Sequence, residues 1–365
     1  MSDLMLTKGE RSAHYLVWLI LFSVIYISFL EGVIPGARYV KYTLPVFVVF
    51  FWVFNGAMHG LGNIYLGRAV IPFVIVVIYG AVQQFFYPSI EGMKDIFFIF
   101  VGFIPFLFFD ILNDRKFFDR LFYVFALLYC LKMAVVGQVN GEGIVGAYEG
   151  TESFVFGIFA ICYFQFGSFR HFSVACFFVL LSLKRIAFLG VLFGVLSIVA
   201  VPILMRVGLL RIRIGFFLIL VVSVIFLFGL SLGYFDEYFG RYFGVSSNQL
   251  TMGRFNIYSY VFGDFERLIS FWGLGFGWSY ELVSAATLGA DKNLHSDILK
   301  IFFEGGLVLF LLFFYFLSRS INYSSLPLVL YLFCLFLTDN VLVYPQVMFF
   351  WLYAVFISNK CRSTF

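Results

Sequence analysis

Apolar stretches recur along nearly the whole of this chain, and they leave very few ways to fold it. Hydrophobic runs near residues 15–33, 41–58, 70–88, 95–112, 120–137, 153–168, 172–186, 187–205, 214–232, 297–317, 324–340 and 345–358 are separated by little polar sequence. About 20 consecutive apolar residues suffice for a helix to cross the hydrocarbon core of a bilayer. Only 12% of the residues are charged, 62% are hydrophobic, and the mean hydropathy is +1.00. A soluble domain carries about twice that share of charge. The expected fold is an all-α polytopic membrane protein of about 12 transmembrane helices, ten to twelve where runs are short. The 55 phenylalanines suit helix packing or the lining of an acyl-chain groove.

Charge placement orients these spans. With the N-terminus inside, thirteen Lys and Arg residues fall in inner segments, among them Arg68, Arg115, Arg170, Arg206 and Arg319, while the short outer loops hold five. Inner loops of membrane proteins are enriched in this way. The first apolar run lacks a small-residue cleavage site and is expected to be a retained anchor. Residues 1–232 then form about nine spans, 233–296 one large outer loop, and 297–365 about three more spans, all within one membrane domain. No repeat relates the two halves, which argues against a transporter built from symmetric halves.

The outer loop carries the polar sequence of interest. From Thr251, the residues Phe255, Tyr258, Val261, Phe262, Phe265, Leu268 and Ile269 recur at three and four positions. That spacing predicts an amphipathic helix lying on the membrane surface or on the bundle. Gly273-Leu274-Gly275-Phe276-Gly277 follows as a tight turn. It is no phosphate loop, since no strand precedes it and no Lys-Ser/Thr pair follows.

Two kinds of side chain bear on chemistry. Lys184 and Arg185 interrupt an apolar stretch from Phe172 to Leu204. Either they snorkel to the interface, or with Arg254, Arg241 and Arg267 they bind a phosphate or diphosphate, for which guanidinium is well shaped. Of the four histidines, His14, His59 and His171 face the inner side and only His295 the outer. It is either structural or a proton carrier, since imidazole exchanges protons near neutrality. Asp297, Asp291 or Asp339 would orient it. Glu304 stands nine residues on, about 13 Å along a helix and on roughly the opposite face, so Glu304-Gly305-Gly306 is expected to be a packing notch with one buried acid. Lys132, inside the fifth span, is expected to pair with a buried acid.

The five cysteines lie at 130, 162, 176, 334 and 361, none in the loop, so disulfides and cysteine-zinc sites are not expected. No Asp-x-Asp element sits in a polar loop, and no His-x-x-x-His pair occurs. A metal-bound nucleotide-sugar transferase is therefore poorly supported, and no cofactor or nucleic-acid partner is expected.

Taken in order, Ser182-Leu183-Lys184-Arg185, the loop with Gly253-Arg254, Gly273-x-Gly275-x-Gly277, His295 and Glu304-x-Gly306 resemble the bacterial O-antigen polymerase and ligase superfamily. The likeness covers about 180–315 in motif and the whole chain in topology. It departs at Ser296, where the family often has Asn. The resemblance implies a GT-C-like membrane glycosyltransferase in the bacterial inner membrane, with cytoplasmic termini and a periplasmic active site. Its donor is a glycan on undecaprenyl diphosphate. Lys184, Arg185 and Arg254 would hold the diphosphate, with Arg241 and Arg267 further along the loop, and Asp297 and Glu304 in support. His295 would take the acceptor proton in an inverting, metal-free transfer. The expected activity is polymerisation of oligosaccharide repeat units, with a chain-length regulator as a candidate partner. The alternatives are ligation of finished chains to lipid A core, or a lipid-linked oligosaccharide flippase or other transporter.

Overall fold

The computed structural model describes residues 8–31, 33–59, 67–109, 114–139, 150–182, 184–244, 246, 248, 254–263, 270–289 and 293–362. The chain is all-helical, with 81% helix and no strand among these residues. In chain order the helices are α1 (Lys8–Ser28), α2 (Leu44–His59), α3 (Ile71–Phe86), α4 (Ile90–Phe103), α5 (Pro105–Phe108), α6 (Arg115–Val139), α7 (Glu152–Gln165), α8 (Phe169–Leu181) and α9 (Arg185–Val207). Then follow α10 (Leu209–Ser231), α11 (Asp236–Phe243), α12 (Arg254–Gly263), α13 (Trp278–Ala286), α14 (Asp297–Arg319), α15 (Leu326–Thr338) and α16 (Pro345–Arg362).

Among the described residues, four helical segments are long and apolar enough to cross a membrane: Ala37–Phe54, α9, α10 and α14. Five further apolar helices run only 10–17 residues. This is fewer full-length spans than the dozen hydrophobic runs suggested, and the reason is local. The run at 95–112 stops at Phe103 because Pro105, which has no N–H to continue the ladder, opens the separate α5. The run at 153–168 becomes the 14-residue α7, which at 1.5 Å per residue reaches about 21 Å, short of a hydrocarbon core of about 30 Å.

The helices form two compact units: Met1–Val70 with Val101–Val195 and Pro345–Phe365, and Ile71–Phe100 with Leu196–Tyr344. The first is packed chiefly by aromatic rings. Phe22 of α1 meets Phe349 and Tyr353 of α16 edge-on, with centroids 4.9 and 5.0 Å apart. Phe156 of α7 stacks on Phe178 of α8 at 4.6 Å. Within a bilayer lipid solvates apolar side chains as well as protein does, so close packing rather than escape from water holds such helices together. Phe22→Ala is therefore expected to lower stability by about 3 kcal/mol and Phe22→Leu by less than half of that, read as thermal unfolding in detergent.

Lys132 of α6 pairs with Glu152 at the start of α7, the buried acid the sequence implied for it. Three further polar side chains meet here. Lys41 reaches Gln346 at 3.4 Å, and Gln346 reaches Thr151 at 3.3 Å.

In the second unit, Arg213 near the start of α10 donates to the Ile321 carbonyl at 3.0 Å. The charged turns at 206–213 and 318–323 thus lie together. The large loop folds into α11, α12 and α13. Of the stripe residues within α12, Tyr258, Val261 and Phe262 are buried and Phe255 is half-buried, while Ile257, outside the stripe, is buried too. Ile257, Tyr258, Val261 and Phe262 are buried in a cluster with Leu227 of α10, Val283 of α13, and Leu294, Leu299 and Phe303. The helix lies on the bundle. Phe265, Leu268 and Ile269, the rest of the stripe, lie outside the described residues.

Candidate functional site

His295 sits at the entrance of α14 with a positive φ of 53°, in the left-handed region that few residues other than glycine adopt. Its position is set by the chain around it. The Tyr258 hydroxyl donates to the His295 carbonyl at 3.2 Å, and burial pushes the Tyr258 phenol up. The Ser296 hydroxyl accepts from the Leu299 N–H and so caps α14, while lying 3.3 Å from the Phe336 carbonyl, to which it donates. Ser296 thus both caps α14 and ties it to α15. The Asp297 N–H donates to the Asp339 carbonyl at 3.2 Å, and its carboxylate accepts from the Leu342 N–H at 2.8 Å. The first turn of α14 is thus fastened to the end of α15.

Arg254 joins the same place from α12. Its guanidinium donates to the Thr338 carbonyl, the last residue of α15. Arg254 stands one turn before Tyr258, so one helix delivers both the cation and the hydroxyl that holds His295. Asp339 accepts from the Tyr344 hydroxyl at 3.2 Å and from the Asn340 N–H. Arg254, His295, Asp297 and Asp339 therefore gather around the 336–342 segment, half-buried at His295 and fully buried at Asp297.

The other residues singled out by sequence are placed differently. Arg241 is exposed in the last turn of α11. Arg267 and Asp291 lie outside the described residues. Lys184 and Arg185 belong to the first unit: Lys184 lies 4.4 Å over the ring of Phe154, and Arg185, exposed, opens α9.

Glu304 stands at a second polar locus, where α14 is broken. Gly306 has φ 70° and ψ −177°, which ends one helical segment and starts another. The segment 270–275 fills the break. Leu274 and Gly275 donate to the carbonyls of Phe303 and Glu304 at 2.9 and 3.1 Å, while Leu307 and Val308 donate to Ser270 and Phe271 at 3.3 Å. The backbone groups freed by the break are thereby satisfied inside the protein, as they must be at membrane depth. The turn at Gly273, Gly275 and Gly277 is the plug itself, all three with positive φ. Gln83 of α3 clamps it, donating to Trp272 at 2.6 Å and to Glu304 at 3.0 Å.

The Glu304 carboxylate accepts from both the hydroxyl and the N–H of Ser279, at 2.6 and 3.1 Å. One turn earlier, Lys300 pairs with Asp95 of α4. The packing notch expected at 304–306 is present, with its buried acid. Lys300, Asp95, Ser279 and Gln83 were not singled out by sequence. The signal for Lys300 was available: Asp297, Lys300 and Glu304 recur at three and four residues within an apolar helix, which places three ionisable groups on one face. Ser279→Ala is expected to destabilise the protein by about 2 kcal/mol in a thermal unfolding assay, since it leaves a buried carboxylate with one donor fewer.

Together these features define a class: an all-helical membrane-embedded protein with a broken helix and a polar cluster at each end of that helix's first half. Compared with known proteins, the chain matches no family model, no curated protein and no solved structure.

Proposed function

We propose that this protein is a membrane glycosyltransferase that uses a glycan on a polyprenyl diphosphate, undecaprenyl diphosphate in bacteria, and extends a surface polysaccharide such as O-antigen by one repeat unit per transfer. The observation that supports the reading is that α12 holds both Arg254, tied to the Thr338 carbonyl, and Tyr258, tied to the main chain of His295, the one histidine assigned to the outer side. In the reaction the acceptor hydroxyl oxygen attacks the anomeric carbon, and the bond from that carbon to the diphosphate oxygen breaks. The electron pair leaves on the diphosphate, which Arg254 neutralises. His295 takes the hydroxyl proton. A single displacement inverts the carbon, and a guanidinium-neutralised leaving group does without a metal.

The break in α14 favours a second reading, a transporter of lipid-linked oligosaccharide, because discontinuous helices line binding sites in many transporters. Deleting the gene in its host and resolving lipopolysaccharide on a gel separates the two. Core bearing a single repeat, without the ladder above it, supports the polymerase. Absence of every repeat with long chains stranded on the lipid carrier assigns a ligase, and repeat units confined to the cytoplasmic side assign the transporter. An unchanged ladder overturns all three.

A further inference from the structure

The transfer proposed above makes no use of the second polar locus, and the chemistry there goes beyond that reading. Asp297, Lys300 and Glu304 line one face of the first half of α14, and Asp95 faces them from α4. Glu304 and Asp297 have no exposed surface, and Lys300 is 7% exposed. Lys300 pairs directly with Asp95, and among the described residues neither Asp297 nor Glu304 has a cation at ion-pair distance. Each also has one buried oxygen without a hydrogen-bond partner among the described residues, Oδ1 of Asp297 and Oε2 of Glu304. The two differ in what their other oxygen receives. That of Asp297 takes one backbone N–H, and that of Glu304 takes two donors from Ser279.

An ionised carboxylate with an open oxygen inside a spanning helix is costly. It is relieved by a metal ion, an alkali cation or a proton. A metal wants several carboxylate, imidazole or thiolate ligands, and among the described residues no group of three such side chains converges. A proton needs one oxygen only.

We infer that Glu304 is a proton-binding site built into the break of α14, its proton sitting on Oε2 while Oε1 holds Ser279 at the start of α13. The proton comes from solvent and returns to it, with no bond to carbon changing. The charged groups facing this carboxyl are Lys300 and Asp297 from its own helix and Asp95 from α4. Glu91 and Lys94 of α4 pair with each other near the surface. Glu281 on α13 is exposed, α3 contributes the phenol of Tyr79 and the amide of Gln83, and the plug 270–277 brings no titratable group.

The test is made on the wild-type full-length protein in liposomes and reads no transfer activity, so it stands apart from the glycosyltransferase reading. A membrane-permeant carbodiimide reacts with protonated carboxyls in apolar surroundings, and peptide mass spectrometry locates the adduct. The expected result is an adduct on Glu304 whose yield falls about tenfold from acidic to alkaline buffer. It is absent from Glu304→Gln. An unmodified Glu304 at every pH, in samples where another carboxyl is labelled, overturns the inference, as does labelling independent of pH. Protection by sodium at constant pH makes the occupant an alkali cation and overturns the assignment to a proton.

Discussion

Membranes expressing the Gly306→Val variant are expected to contain little folded protein. At φ 70° and ψ −177° the backbone of residue 306 occupies a region reserved almost wholly for glycine. A Cβ there would lie 2.2 Å from the Gly273 nitrogen and 2.6 Å from the Trp272 carbonyl carbon, and neither is a side chain that can swing aside. Relief requires lifting the 270–275 segment, which surrenders its four backbone hydrogen bonds to α14 and leaves their partners unsatisfied in a buried place. At about 1 kcal/mol each, with about 2 kcal/mol of strain added, the loss rivals the whole stability of an ordinary domain. Gly273→Ala meets the reciprocal obstacle, since its Cβ would lie 2.1 Å from the Glu304 carbonyl oxygen. Gly215→Ala on α10 meets no atom within 4 Å and serves as the control. Size-exclusion profiles of detergent extracts read the outcome. A monodisperse Gly306→Val peak of wild-type height and melting temperature would refute the account of the break.

The second large effect is expected at His295. Removing the imidazole should cut polymer formation by about 10²–10⁴-fold, the usual contribution of a general base. Alanine is a poor choice of variant on its own, because residue 295 adopts positive φ. Asparagine tolerates that conformation far better and has no comparable basicity. Its carbonyl still accepts from Tyr258, since that bond uses the main chain. His295→Asn should therefore reach normal levels in the membrane while the lipopolysaccharide ladder disappears. Arg254→Lys keeps a charge but loses the planar fork, and its ladder should be weakened rather than absent. A wild-type ladder from His295→Asn, with blotting showing equal protein, removes His295 from the mechanism and with it the proposed function.

Much of this was legible in one dimension. The apolar runs announced membrane helices, and the spacing of Tyr258, Val261 and Phe262 announced α12 and its buried face. Glu304-Gly305-Gly306 could be recognised as a notch but not as a break, because a glycine pair is compatible with a continuous helix. The break exists only because residues 270–275 arrive to satisfy its backbone. Span lengths were less legible: Pro105 and the short α7 and α8 show that a hydrophobic run marks what is apolar, and leaves open how far the helix continues.

What the linear chain determined by itself was the solvent this protein requires, because transfer into lipid depends on each side chain almost independently of its neighbours. Pairings were decided only by the tertiary structure. Asp95 meets Lys300 across 205 residues, Ser279 fills one oxygen of Glu304, and Arg254 is tied to the end of α15 by a main-chain carbonyl that no residue type advertises. Such bonds depend on distance and direction between segments remote in sequence, and those quantities come into being only once the helices have packed.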